Sequence, residues 1–230
     1  MKRIFAFIFA RGGSKGLPRK NLLKINGLSL TRRAIKAAKQ IEMVEQVFLS
    51  TDCPEIQRDG EMEGVEVIQR PKELASDTAS EWDAWKHAIN YAERKYGNFD
   101  VFISLPPTAP CRSLEDVRNC ISSLRDDIDI VFTATSAKNN PWFNMVKMGN
   151  NGKVSRVIDD GKYSRRQDAP EVYNMTTVAY AARKNYIKDN DNMWKGKIKM
   201  VEVREETAID IDTIIEFNIA KFLIESRNEG

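Results

Sequence analysis

The chain predicts an α/β fold, with a mostly parallel sheet in three layers. Apolar runs alternate with stretches of helical period along most of its length. The first run, Ile4-Phe5-Ala6-Phe7-Ile8-Phe9-Ala10, has no polar interruption, which is the pattern of a strand covered on both faces. Polar turns follow several runs directly, and ligands of parallel sheets bind beyond the carboxyl ends of the strands.

The elements follow in order. After residues 4–10 and a polar loop, Leu30, Ala34, Ala37, Ala38 and Ile41 share one helical face. Residues 47–51 read as a second strand ending at Asp52, and 65–68 as a shorter third. Residues 80–96 form a helix with Trp85, Ala88, Ile89 and Ala92 inward and Ser80 or a neighbour as its cap. A fourth strand, 101–105, stops at Pro106-Pro107. Ser113, with Asp116 three residues on, starts a helix to about Leu124, and 130–134 is the fifth strand. From Ser136 to about Tyr173 the rhythm breaks into Asn, Pro, Gly and Arg with short β-like pieces, the mark of an inserted hairpin arm. Residues 178–182 and 198–203 return to the sheet. A helix from Thr213 to about Ser226 closes the chain, with Ile214, Phe217, Ile219, Ala220 and Leu223 as packing positions. Strands joined by crossover helices imply a sheet covered on both faces.

Composition narrows the function. A chain of 230 residues, 42% hydrophobic and 30% charged, suits one ordinary globular domain. The longest apolar run is seven residues, too short to span a bilayer. Met1-Lys2-Arg3 has the charge of a secretory leader, but no convincing apolar region and cleavage site follow. Cys53, Cys111 and Cys120, odd in number and without metal spacing, point to a reducing cytoplasm. A single histidine, His87, argues against a His-rich metal site or a Ser-His-Asp triad. Net charge is only +3, yet the first 40 residues hold eleven Lys and Arg and no Asp or Glu. That asymmetry calls for an anionic partner. The nearby Phe5, Phe7 and Phe9 lie inside a strand and are not interleaved with the cations, so a small phosphate ligand is expected in preference to nucleic acid.

Arg11-Gly12-Gly13-Ser14-Lys15-Gly16, then Leu17-Pro18-Arg19-Lys20-Asn21, supplies backbone N–H groups and cations for a polyphosphate. A glycine turn with a solvated basic face is the plainer alternative. The spacing fits neither a P-loop nor a dinucleotide fingerprint. In extended backbone, Asp210 and Asp212 would point to one side, with Ile209 and Ile211 on the other. Two such carboxylates suit a hard cation such as Mg²⁺, although Asp212 alone can equally cap the helix that follows. Arg165-Arg166-Gln167-Asp168 is a second cationic cluster, able to grip a carboxylate or to sit as a solvated patch. Arg70-Pro71, residues 77–80 and residues 108–112 are polar turns suited to a base or ribose.

Residues 10–21 closely resemble the signature loop of the acylneuraminate cytidylyltransferases, the CMP-sialic acid synthetases. Ser50-Thr51-Asp52, Arg70-Pro71 with 74–79, 105–112, 166–170 and Ile209-Asp210-Ile211-Asp212 occur in that family's order, so the resemblance covers nearly the whole chain. It implies a Rossmann-like nucleotide-diphospho-sugar transferase fold: one domain, 1–230, with 136–173 as an arm for dimerisation and for the partner's sugar site. It further implies Mg²⁺-dependent transfer of CMP from CTP to the anomeric hydroxyl of an acidic keto sugar, without nucleic acid or membrane. By resemblance Arg11, Lys20, Asp210 and Asp212 are catalytic. Arg11, Gly12, Gly13, Ser14, Lys15, Asn21, Arg70, Asp77 and Ser80 hold the nucleotide, Arg166, Gln167 and Thr108 the sugar, and Asp210 with Asp212 the metal.

The chain departs from the family where Leu-Gln-Pro-Thr-Ser-Pro becomes Leu105-Pro106-Pro107-Thr108-Ala109-Pro110. The glutamine replaced by Pro106 contacts sugar in the family. Residues 140–146 and 165–170 are similar to synthetases for di-amino nonulosonates such as legionaminic acid. Other readings are a CMP-Kdo synthetase, a sugar-1-phosphate nucleotidylyltransferase, or a nucleotide-binding protein without catalysis.

Overall fold

The computed structural model describes residues 2–227. The chain runs through β1 (Ile4–Phe9), a short hairpin of β2 (Lys24–Ile25) and β3 (Leu28–Ser29), α1 (Leu30–Lys39), β4 (Gln46–Thr51), α2 (Pro54–Met62), β5 (Glu66–Gln69), α3 (Glu81–Tyr96), β6 (Val101–Ser104) and α4 (Leu114–Ser122). The second half adds β7 (Ile130–Ser136), the hairpin β8 (Val146–Met148) and β9 (Val154–Arg156), β10 (Tyr173–Arg183), α5 (Lys184–Asp189), β11 (Ile198–Glu202) and α6 (Ile214–Arg227).

Seven strands form one sheet in the order β11-β7-β10-β6-β1-β4-β5. Its pairs are parallel except those of β10, which runs antiparallel between β6 and β7. Phe7 on β1 aligns with Phe48 on β4 and Ser104 on β6. The chain moves outward from β1 to β4 and β5, then α3 carries it back to β6 on the other side of β1. Strand order therefore reverses at β1, and a crevice opens at its carboxyl end, where such sheets bind ligands.

The alternation of side chains along β1 builds both covering layers. Ala6, Ile8 and Ala10 cluster with Ala34, Ile35 and Ala38 of α1, Ile56 of α2, and Val117 and Cys120 of α4. Phe5 and Phe7 cluster with Phe48, Phe102 and Trp85, Ala88, Ile89 and Ala92 of α3. The Phe7 ring lies 4.9 Å, centroid to centroid, from both Phe48 and Phe102. Three layers result, as the sequence predicts. The predicted caps form too: the Ser80 hydroxyl accepts from the Trp82 N–H at 3.2 Å, and that of Ser113 from the Asp116 N–H at 3.0 Å.

Several elements differ from expectation. Helix α2 escapes a reading by apolar period because only Ile56 and Gly60 are buried along it; Pro54 at its first turn is its one local signal. β10 extends through eleven residues, with an irregularity between Thr176 and Tyr180. There the Thr133 hydroxyl accepts from the Thr176 hydroxyl at 2.7 Å and from the Ala179 N–H at 3.2 Å, satisfying groups that the ladder leaves out. Helix α4 ends at Ser122 rather than Leu124. On α6, Ala220 and Ile224 are buried beside Phe217 and Leu223, whereas Ile214 and Ile219, expected to pack, are 54% and 44% exposed. The helix touches Ile25, Leu30 and Ile211 along one narrow stripe, which leaves its other apolar residues outside. Between β7 and β10 the irregular segment carries the β8–β9 hairpin, with Val146, Met148 and Val154 exposed. Among the described residues no helix is long and apolar enough to cross a membrane.

Phe48 is fully enclosed between Phe7 and Tyr96. Phe48→Ala is expected to lower stability by about 3–5 kcal/mol, read as a shift of the urea unfolding midpoint.

Candidate active site

A cleft of about 460 Å³ opens at the carboxyl ends of β1 and β6. Arg11, Ser14, Lys15, Lys20, Asn21, Arg70, Asp77, Ser80, Thr108 and Asp212 all line it. Residues spread across two hundred positions of sequence thus share one wall, and the volume is of the size that small-molecule sites occupy.

The glycine loop leaves β1 with few degrees of freedom. The Asp52 carboxylate, just past β4, accepts the Gly12 N–H at 2.9 Å. A Cβ at Gly12 would stand 2.9 Å from that of Cys53, so only glycine fits there. The Asn21 side-chain amide donates to the Arg11 carbonyl at 3.0 Å, and its own Oδ1 is buried without a hydrogen-bond partner. Gly12 is therefore an anchor of the loop, its N–H already committed, while Gly13 is exposed. A short 3₁₀ turn, Lys20–Leu22, delivers Lys20 and Asn21 to the cleft.

The acidic stretch comes to meet this loop. A Cβ at Gly16 would lie 2.8 Å from the Asp212 carbonyl oxygen, and Lys20 Nζ pairs with Asp212 Oδ1 at 2.8 Å. The Ile211 N–H donates to the Thr108 carbonyl at 2.8 Å, and the Ile211 side chain is fully buried. Glu216, in the first turn of α6, reaches back: its Oε2 accepts the N–H groups of Asp212 at 2.9 Å and Thr213 at 2.6 Å. The Asp212 carboxylate itself faces Lys20 in the cleft. Asp210 does not line that cleft beside it; it lies next to the enclosed Arg112, and its Oδ1 is buried without a hydrogen-bond partner. Burial lowers the Arg112 guanidinium to about 10, with the Asp210 charge opposing the shift.

Arg70 is held from the end of β4. Its guanidinium donates to the Ser50 hydroxyl at 3.1 Å and the Ser50 carbonyl at 2.8 Å, and it stands 5.5 Å over the Phe9 ring. Burial brings it down to about 10, against the pull of Asp52 and Glu81, so it remains charged at neutral pH. Glu81, the first residue of α3, was not anticipated. An acidic residue in a first helical turn reads as a partner of the helix dipole, which conceals any other role. Here it lines the cleft: water reaches it, yet surrounding protein crowds it and pushes its carboxyl up, with Asp210 adding to the rise and Arg70 opposing it.

Arg166 and Gln167 do not join this site within the chain. They line a separate cleft with Ala137, Pro170 and Tyr173, where Arg166 donates to the Ala137 carbonyl at 3.2 Å. Arg165 is paired with Asp168 at 2.7 Å.

A raised carboxyl favours folding while protonated, and that contribution fades as pH climbs through the raised value. Glu81→Gln is accordingly expected to gain melting temperature over the parent at pH 8, and less or none at pH 4, in buffer without divalent ions. An equal gain at both values would contradict the assignment.

Residues 5–223 match a family model described as cytidylyltransferase. Post-translational flagellin modification protein B of Campylobacter coli and CMP-N,N'-diacetyllegionaminic acid synthase of Campylobacter jejuni are each 33% identical to the chain, over 99% of it and 97% of the relative. N-acylneuraminate cytidylyltransferase A of Danio rerio is 28% identical over 96% of the chain, which spans 50% of that longer protein. A solved CMP:2-keto-3-deoxy-manno-octonic acid synthetase, complexed with CTP, superposes with a TM-score of 0.74 at 20% identity, covering 98% of this chain and 99% of that one. A 4-diphosphocytidyl-2C-methyl-D-erythritol synthase does so at 0.71 and 7% identity, covering 97% and 100%. These two establish the fold; the family match and the full-length relatives establish more, and the chain belongs to the cytidylyltransferase family.

Proposed function

We propose that the enzyme transfers CMP from CTP to the anomeric hydroxyl of a 2-keto-3-deoxy sugar acid and releases pyrophosphate. The observation that carries this reading is the meeting of Arg11, Lys15 and Lys20 with Asp212 in one cleft. Those cations hold the triphosphate, while Asn21, Arg70 and the turn at Ser80 hold the cytidine. The sugar hydroxyl attacks the α-phosphorus as the bond to the β-phosphate breaks. Pyrophosphate departs with the electron pair, and the hydroxyl proton passes to water. Most of the acceleration comes from positioning and from charge already in place.

The residues fit a magnesium ion. Asp210 offers a buried carboxylate oxygen that no hydrogen bond satisfies, and Asp212 stands two residues on. Among the described residues no group of three or more His, Cys, Asp or Glu is arranged as a metal cage, so phosphate oxygens and water would complete the shell. Held by Asp210 and Asp212, such an ion would offset phosphate charge and that of the leaving pyrophosphate.

Thr108 already faces the cleft, and a homodimer brings Arg166 and Gln167 to it. Each arm then completes its partner's sugar site, which accounts for an arm with exposed Val146, Met148 and Val154. Pro106 in the cleft wall removes a side-chain hydrogen-bonding group from the sugar's surroundings, and one of the two relatives at 33% identity is a CMP-N,N'-diacetyllegionaminic acid synthase. That likeness, with residues 140–146 and 165–170, favours a legionaminate-like nonulosonate as the substrate. The cytoplasm, whose reducing state suits the three cysteines, is the expected location.

Pyrophosphate release from CTP, measured with and without Mg²⁺ across a panel of keto sugar acids that includes Kdo, is expected to favour a di-amino nonulosonate. Turnover of N-acetylneuraminate alone would overturn the substrate. Asp212→Asn is expected to lower metal-dependent turnover by roughly 100-fold or more with an unchanged melting temperature. Arg166→Ala is expected to raise KM for the sugar and leave that for CTP; mixing it with an inactive Asp212→Asn protein is then expected to restore part of the sugar affinity through mixed dimers.

A further inference from the structure

Two cations of the glycine loop are already engaged by one carboxylate from across the cleft. Arg11 Nη1 lies 3.1 Å from Asp77 Oδ1, and Lys15 Nζ lies 3.0 Å from Asp77 Oδ2. One oxygen goes to each cation, as two oxygens of a phosphate would. Arg11 is held on the same wall by the Ser76 carbonyl at 2.9 Å. Asp77 belongs to the turn that precedes α3, so these contacts tie the loop after β1 to the opposite side of the cleft. Lys15, with Arg11, keeps the Asp77 carboxyl below the usual carboxylate range.

The pairing is built to yield. The Asp77 and Lys15 side chains are 44% and 74% exposed, and ion pairs in such surroundings are weak. A triphosphate carries several charges to the same two cations. Its oxygens and the Asp77 carboxylate cannot share them closely without repulsion. A nucleotide that relies on Arg11 and Lys15 must therefore displace Asp77.

We propose that Asp77 is an internal stand-in for the triphosphate: it competes for Arg11 and Lys15, yields them to CTP, and reclaims them as pyrophosphate leaves. It thus holds down the affinity for CTP and pyrophosphate alike and limits inhibition by the departing product. This rests on the reading of the cleft as a CTP site, and it replaces the expectation that Asp77 itself holds the nucleotide.

The test is calorimetric titration of the full-length protein, its Asp77→Asn variant and its Asp77→Glu variant with CTP, inorganic tripolyphosphate and CMP. Melting curves confirm that the variants, altered at an exposed turn, are folded. The stand-in predicts that Asp77→Asn binds CTP and tripolyphosphate more tightly by a common factor of roughly 3- to 20-fold. CMP, which lacks the two outer phosphates, gains less, pyrophosphate inhibits turnover more strongly by a similar factor, and Asp77→Glu stays near the parent. Weaker CTP binding with unchanged tripolyphosphate binding would make Asp77 a cytidine contact and overturn the proposal. Weaker or unchanged binding of both would overturn it as well. If the parent binds neither CTP nor tripolyphosphate, the cleft itself has been misread, a failure distinct from one confined to the variant.

Discussion

The contact between Gly16 and the Asp212 carbonyl is the constraint on which the site depends. It closes a loop of nearly two hundred residues, and it exists only because Gly16 has no Cβ. Lys20 pairing with Asp212 adds charge to the same junction. The Ile211 N–H, bound to Thr108, ties the junction to the carboxyl end of β6. The cationic loop and the acidic stretch are thus fixed relative to the sheet, at the place where its strand order reverses. A larger side chain at position 16 would push one partner away while leaving both aromatic and aliphatic cores intact, because neither core includes it.

Electrostatics follow from that geometry. The cleft is lined by cations, yet the acids nearest to them temper its charge: Asp77 for Arg11 and Lys15, Asp212 for Lys20. Arg70 and Arg112 are of another kind, buried and held by carbonyls and a hydroxyl, so their position owes little to exposed ion pairs. On the function proposed, a triphosphate would meet the exchangeable Arg11, Lys15 and Lys20, and the cytidine the fixed Arg70. This division of labour suits a reaction in which the triphosphate must be gripped and its outer part soon released.

Much of this was legible in the sequence because its signals are local. The uninterrupted run at β1, the Ser80 and Ser113 caps, and the glycine loop each announce themselves within a few residues. The break in rhythm after β7 does so as well, and it holds the β8–β9 hairpin. What stayed hidden depends on distant partners. α2 shows little apolar period, because it buries only Ile56 and Gly60. Ile214 and Ile219 looked like core residues, and only the narrow contact of α6 leaves them outside. Glu81 stands in sequence where any first-turn acid would, and nothing near Asp77 in sequence shows that Arg11 and Lys15 reach it. Nothing near Asp212 in sequence shows that its carboxylate meets Lys20 from the other end of the chain.

A crystal structure with CTP and Mg²⁺ addresses the central claim most directly, because it shows whether one nucleotide touches both ends of the chain. The account predicts the triphosphate between Arg11, Lys15 and Lys20 on one side and the 210–212 stretch on the other, with the cytidine toward Arg70 and Ser80. A triphosphate bound away from Lys20 and Asp212, or an acidic stretch that shares no ligand or ion with the glycine loop, would contradict it.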